Sequence, residues 1–197
     1  MRVDSHVHIW NFGRVRYAWP TPADGELYRT IEPPELAPLL ADAGIDRAVL
    51  VQAADHEAET AYLLEQAEAH GMIAGVVGWV PLDRPDEARR LLERLARNPL
   101  FKGVRHLIHC EDDPDWVVRD EVVEGLRVLA SFGLTFDVVA VFPNHLRHVP
   151  YLAERVPNLR MALDHLAKPP IVAGGAAFDR WAEQLAEAAA CPNVYAK

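Results

Sequence analysis

The sequence predicts an α/β protein built as a (β/α)₈ barrel of the TIM type, and three observations carry that prediction. Apolar, β-branched runs alternate with helix-spaced segments along almost the whole chain, the mark of βαβ units on a parallel sheet. The runs Ala48-Val49-Leu50-Val51 and Gly75-Val76-Val77-Gly78 are apolar on both faces, as strands covered by helices must be. The turn after the first strand, Trp10-Asn11-Phe12-Gly13-Arg14, holds neither GxGxxG nor a P-loop, which sets the barrel above a nucleotide-binding open sheet.

The elements follow in order. Residues 3–9 read as a strand, and a long loop runs over residues 11–34. Helical spacing over 35–43 stops at Gly44, and 47–52 is the second strand. A helix over 57–69 ends before Gly71, 72–80 is the third strand, and 85–97 is a helix with Pro at an early position. The fourth strand covers 101–108, and the helix over 119–132 is stopped by Gly133. Segments 134–139, 144–155, 159–163 and 178–190 repeat the alternation, and 193–197 opens a seventh strand. A full barrel has eight such units and about 250 residues. A single barrel domain over residues 1–197 is therefore expected, truncated in strand 7 and with strand 8 missing; otherwise strands 1 and 7 would both be open parallel edges.

Composition narrows the function. The chain has 197 residues, half of them apolar and a quarter charged, which suits a folded domain with a substantial core. A net charge of −9 argues against nucleic acid or an anionic membrane as partner, since both need a basic face. No apolar stretch approaches a membrane span, and the N-terminus has no signal pattern. Cys110 and Cys191 are isolated, so neither a disulfide framework nor a thiolate metal site is expected, and a cytoplasmic setting follows.

The chemistry gathers at the C-terminal ends of the predicted strands, where a barrel places its active site. His6 and His8 lie two apart in an alternating run and so share one strand face, a placement that suits a metal or a polarised water. Strand two ends at Gln52 and strand three at Trp79; strand four carries Arg105 and His106, strand five Asp137, strand six Asp164 and His165. Arg105 reads either as a bidentate grip on substrate or as an ion-pair partner, for instance of Asp137. It alternates with His106, so only one of the two is expected to face inward. His109, His145 and His148 fall in or beside loops, where solvation is the default, and His56 and His70 look like ordinary helix residues. The first loop carries Phe12, Tyr17, Trp19 and Tyr28, which suit a rim anchor or the wall of a lid. The acidic stretch Glu111, Asp112, Asp113 and Asp115 reads mostly as a solvated rim.

The segments DSHVHIWNF (4–12), RYAWP (16–20), GVVGWVPL (75–82), FKGVRH (101–106), LTFDVV (134–139) and LDHLAKP (163–169) together resemble the amidohydrolase-related family (amidohydrolase 2 type) that includes sugar-acid lactonases. They span nearly the whole chain in order. The resemblance implies a hydrolase on a distorted (β/α)₈ barrel of the metal-dependent hydrolase type, active in carbohydrate metabolism. It makes His6 and His8 the strand-one pair, His165 the strand-six histidine, Arg105 a substrate-orienting cation and Trp19 a pocket wall. His6, His8, His165 and Arg105 are then the catalytic candidates. Trp19, Gln52, Trp79, Arg105, His106 and Asp137 are the substrate-binding candidates, and His6, His8 and His165 the metal candidates. Two departures from the wider pattern, Arg105 on strand four and Asp137 on strand five, argue against a binuclear centre and leave one divalent metal such as zinc, or none. The strand-eight aspartate that would activate water falls beyond Lys197. The expected partner is a small-molecule lactone or carboxylate, and a homo-oligomer is compatible with the sequence. A decarboxylase of the same superfamily and a non-catalytic fragment are the competing readings.

Overall fold

A computed structural model describes all residues 1–197. Seven strands lie in sequence order in the sheet: β1 (Val3–Val7), β2 (Arg47–Val51), β3 (Ile73–Gly78), β4 (Phe101–His106), β5 (Thr135–Val138), β6 (Arg160–Leu163) and β7 (Val194–Ala196). Six α-helices alternate with them: α1 (Pro33–Asp42), α2 (Glu57–Ala69), α3 (Pro85–Leu95), α4 (Asp120–Ser131), α5 (Val149–Arg155) and α6 (Gly175–Ala189). This is the α/β class and the strand order that a (β/α) barrel demands. The chain forms two compact units, residues 1–80 with 95–103, and residues 81–94 with 104–197.

In the first unit β1 pairs with β2 and β2 with β3, all parallel. Leu50, Val51, Val76 and Ile9 are buried, together with Tyr62 and Leu63 of α2, so the apolar-on-both-faces reading of β2 and β3 holds. His56 caps α2: its Nδ1 accepts the amide of Ala58 at 2.9 Å. Gly78 allows β3 and α2 to meet closely, because a Cβ there would lie 2.5 Å from Thr60 Cγ2. The first loop is closed at its neck by an antiparallel bridge between Trp10 and Ile31, and the Trp10 indole donates to the carbonyl of Arg29 at 2.7 Å. Phe12 stacks edge-on against Tyr17 and Tyr28, so the aromatics do anchor this loop.

In the second unit β5 pairs with β6 and β6 with β7, again parallel. Leu82, Leu92, Leu126, Leu129, Phe136, Leu146, Leu152 and Met161 form its apolar interior. Gly125 of α4 faces the backbone of Leu82, where any larger residue would collide with the carbonyl. The helix expected over 144–155 begins as a short 3₁₀ turn, Leu146–His148, before α5; Pro150 in the first turn of α5 is compatible with that start. No helix is long and apolar enough to cross a membrane.

Candidate active site

His6 ends up on β1 and His8 just past it, with their Nε2 atoms 3.1 Å apart. The Nδ1 of His8 lies 2.8 Å from the carbonyl oxygen of Val51. A carbonyl only accepts, so Nδ1 carries the proton and the Nε2 lone pair is turned toward His6. Two imidazole nitrogens on one tetrahedral zinc, each bound at about 2.0–2.1 Å, sit about 3.3 Å apart. The spacing of the pair and its fixed tautomer therefore fit a single metal ion. Trp19 packs edge-on against His8, at 6.3 Å between ring centres, and against Trp10 at 5.3 Å. Its indole donates to Asp24 at 3.3 Å while the ring stays partly open to solvent.

The end of β2 is held from beneath. Glu59, fully buried in the first turn of α2, accepts the amide of Ala53 with both oxygens at 3.0 Å and that of Ala54 at 2.7 Å. Burial raises its carboxyl to about 7, against the lowering effect of those amide bonds. The Tyr17 hydroxyl faces it and is itself pushed up, first by burial and then by the carboxylate charge. Gln52, also fully buried, donates from Nε2 to Asp55 at 2.7 Å. Trp79 follows β3, and its amide donates to the Thr60 hydroxyl at 2.8 Å. Glu59 and Thr60 escaped the sequence reading, although a Glu three residues after the His56 cap is the pattern of a carboxylate folding back over a helix start.

In the second unit the charges are buried and paired. Arg105 on β4 donates from Nε to Asp164 Oδ2 at 2.7 Å, with 6% and 0% of the two side chains exposed. Asp164 is thus a partner of Arg105, and Asp137, the alternative offered by the sequence, bonds to the ammonium of Lys197. Lys197 also lies 3.5 Å from Asp164 Oδ1, so two cations and two carboxylates form one network. His106 is buried as well. Its Nε2 meets Glu111 at 2.7 Å, and its ring stacks on Trp116 at 4.1 Å and 13°. Glu111 is therefore a hydrogen-bond partner of a buried imidazole rather than solvated rim charge. Asp113 pairs with Arg119, and Asp115 with Arg147 and His148.

His165 is the second residue of the turn Asp164–Ala167 at the end of β6 and is solvent-exposed. His145, expected to be solvated, is buried, and its Nδ1 accepts the amide of Val141 at 3.3 Å. His109 is held down to about 4, by burial first and then by the positive charges of Lys168 and Arg105, so it is neutral at pH 7. Lys197 carried no signal in the sequence beyond its place on a strand, since only tertiary pairing reveals its two carboxylate partners.

An amidohydrolase family model matches residues 3–197. The L-fucono-1,5-lactonase of Burkholderia ambifaria is 37% identical over 196 residues, covering all of this chain and 66% of that protein. The L-fucono-1,5-lactonase of Burkholderia multivorans is 34% identical over 201 residues, covering 100% and 67%. A crystal structure of an amidohydrolase from Burkholderia multivorans with bound zinc superimposes with a TM-score of 0.88 at 34% identity, over all of this chain and 68% of that one. The chain spans about two thirds of the length of the curated relatives it matches.

Proposed function

The chain belongs to the amidohydrolase family, and from that premise we propose that it opens the lactone ring of a sugar acid by attack of water on the ester carbonyl. The observation that carries the reading is the His6–His8 pair, two imidazole nitrogens 3.1 Å apart with one tautomer fixed by the Val51 carbonyl. The relatives named L-fucono-1,5-lactonase support the lactone as substrate class, and make L-fucono-1,5-lactone the first compound to assay. A cytoplasmic role in carbohydrate metabolism belongs to the same reading.

His6 and His8, with His165 as the third imidazole, would hold one divalent metal, for which zinc is the candidate by likeness to the solved Burkholderia multivorans structure. When bound, such an ion supplies Lewis acidity toward a carbonyl oxygen and lowers the pKa of water. The chain's own groups do the rest. The His8 Nδ1–Val51 bond keeps the Nε2 lone pair basic and stops the ring from turning. The guanidinium of Arg105, anchored through Nε to Asp164, is a preorganised positive charge for the oxyanion that develops as water adds. Its anchored orientation reduces the side-chain entropy lost when substrate binds. Trp19 supplies an apolar wall beside His8 against which a sugar ring can lie. Gln52, Trp79, His106 and Asp137 are the further substrate-binding candidates of this reading.

The test is acid release from sugar-acid lactones, followed in a pH-stat with the full-length protein, for wild type, His8→Ala and Arg105→Met. Loss of about 10²–10³ in kcat/KM in either variant is expected, the range for deleting one preorganised group at a developing oxyanion. Unchanged turnover in both would remove the proposal. Carbon dioxide release from an aromatic acid, without lactone opening, would put a decarboxylase in its place.

A further inference from the structure

Directly after β6, His165, Leu166, Ala167 and Lys168 have φ of 53°, 50°, 58° and 51°. None is glycine, yet all four sit in the left-handed region, where the Cβ of an L residue crowds the carbonyl that follows. Non-glycine residues enter that region singly, at a cost; a run of four is one turn of left-handed helix. Such a turn persists only where its surroundings over-determine it.

Four bonds do so, all within the second unit. The amide of Lys168 donates to the carbonyl of His165 at 3.0 Å, closing the turn on itself. The amide of Leu166 donates to the carbonyl of Lys197 at 3.2 Å, and that of Phe142 to the carbonyl of Ala167 at 3.2 Å. The fourth bond is the only one made by a side chain: the indole Nε1 of Trp181 donates to the carbonyl of Leu166 at 2.9 Å. Trp181 lies on α6, is 8% exposed and packs against Phe178 at 4.9 Å between ring centres. Helix α6 thus reaches the turn through a hydrogen bond from a rigid, buried ring, while the turn itself begins with a candidate catalytic imidazole.

We propose that Trp181 is a positioning residue for His165: its indole N–H holds the strained left-handed turn, and the turn fixes where the His165 backbone places its ring. The inference rests on the reading of His165 as part of the lactone-opening site. Releasing the bond lets the turn sample right-handed backbone, which displaces His165 without touching any group that meets the substrate.

Two variants of the full-length protein test this. Trp181→Phe keeps a buried aromatic ring and deletes only the donor. Hydrogen exchange at the Leu166 and Lys168 amides is expected to speed up about tenfold, with Phe136 unchanged, and kcat to fall about tenfold while KM stays within about twofold. Leu166→Gly makes positive φ intrinsically easy and leaves the Trp181 donor in place, so Tm is expected to rise by about 2 °C with kcat within about twofold of wild type. A purely structural role for the turn would move stability and activity in the same direction. Unchanged exchange in Trp181→Phe overturns the inference, as does faster exchange with kcat unaltered. If the wild-type protein opens no lactone, the functional reading fails by itself, and the exchange measurement still decides whether Trp181 holds the turn.

Discussion

Glu59 gives a pH dependence of stability that can be worked from the structure. Its carboxyl is fully buried at the start of α2 and titrates near 7 in the folded chain, against 4.5 for the free group. Burial disfavours the charged form by more than the amides of Ala53 and Ala54 favour it. Between those two values the folded state holds a proton that the unfolded chain has released. Unfolding stability must therefore fall as pH rises through this window. The contribution is fully present below 4.5 and lost above about 7. At 1.36 kcal/mol per tenfold change in proton affinity, the loss amounts to about 3 kcal/mol. With a urea m-value of about 2 kcal/mol/M, that moves the unfolding midpoint down by roughly 1.5 M. Glu59→Gln is isosteric and cannot ionise, so its midpoint lacks this component. The assay is urea unfolding of wild type and Glu59→Gln in steps from pH 4.5 to 8, and the difference between the two curves cancels every other titrating group. A difference that stays constant within about 0.5 kcal/mol across the range would refute the assignment of Glu59 as a strained, buried acid.

Two further outcomes follow from the packing of the second unit. Asp164→Ala strands the buried Arg105 guanidinium and weakens the hold on Lys197, which should cost about 3–5 kcal/mol and lower Tm by at least 6 °C in a circular-dichroism melt. The double variant Arg105→Met/Asp164→Leu, with neither charge left, should recover most of that loss. Gly125→Ala would place a Cβ 2.1 Å from the carbonyl oxygen of Leu82, so α4 must shift; a loss of about 1–3 kcal/mol in urea unfolding is expected.

Much of the fold was legible because its signals are local. Helix α2 is found where the spacing put it, over residues 57–69, and the other strands and helices deviate by a few residues at their ends. Ends depend on caps and on neighbouring chain, such as the Trp10–Ile31 bridge that closes the first loop. The His6–His8 pair was legible for the same reason, since a two-residue repeat on a strand forces two side chains onto one face. The family could be read from its motifs, which the match over residues 3–197 bears out.

Pairing was not legible. That Arg105 meets Asp164, and that Asp137 meets Lys197, depends on which groups the fold brings within 3 Å. The burial of Glu59 and His145 and the left-handed turn at His165 likewise depend on what packs around them, which periodicity does not report. Sequence alone therefore determined the order of elements and the class of chemistry on offer, because periodicity and motif act within a few residues. Tertiary structure alone decided the buried partners of Arg105 and Lys197 and the backbone carrying His165, because those are settled by energies between groups far apart in the chain, 59 positions for Arg105–Asp164 and 60 for Lys197–Asp137.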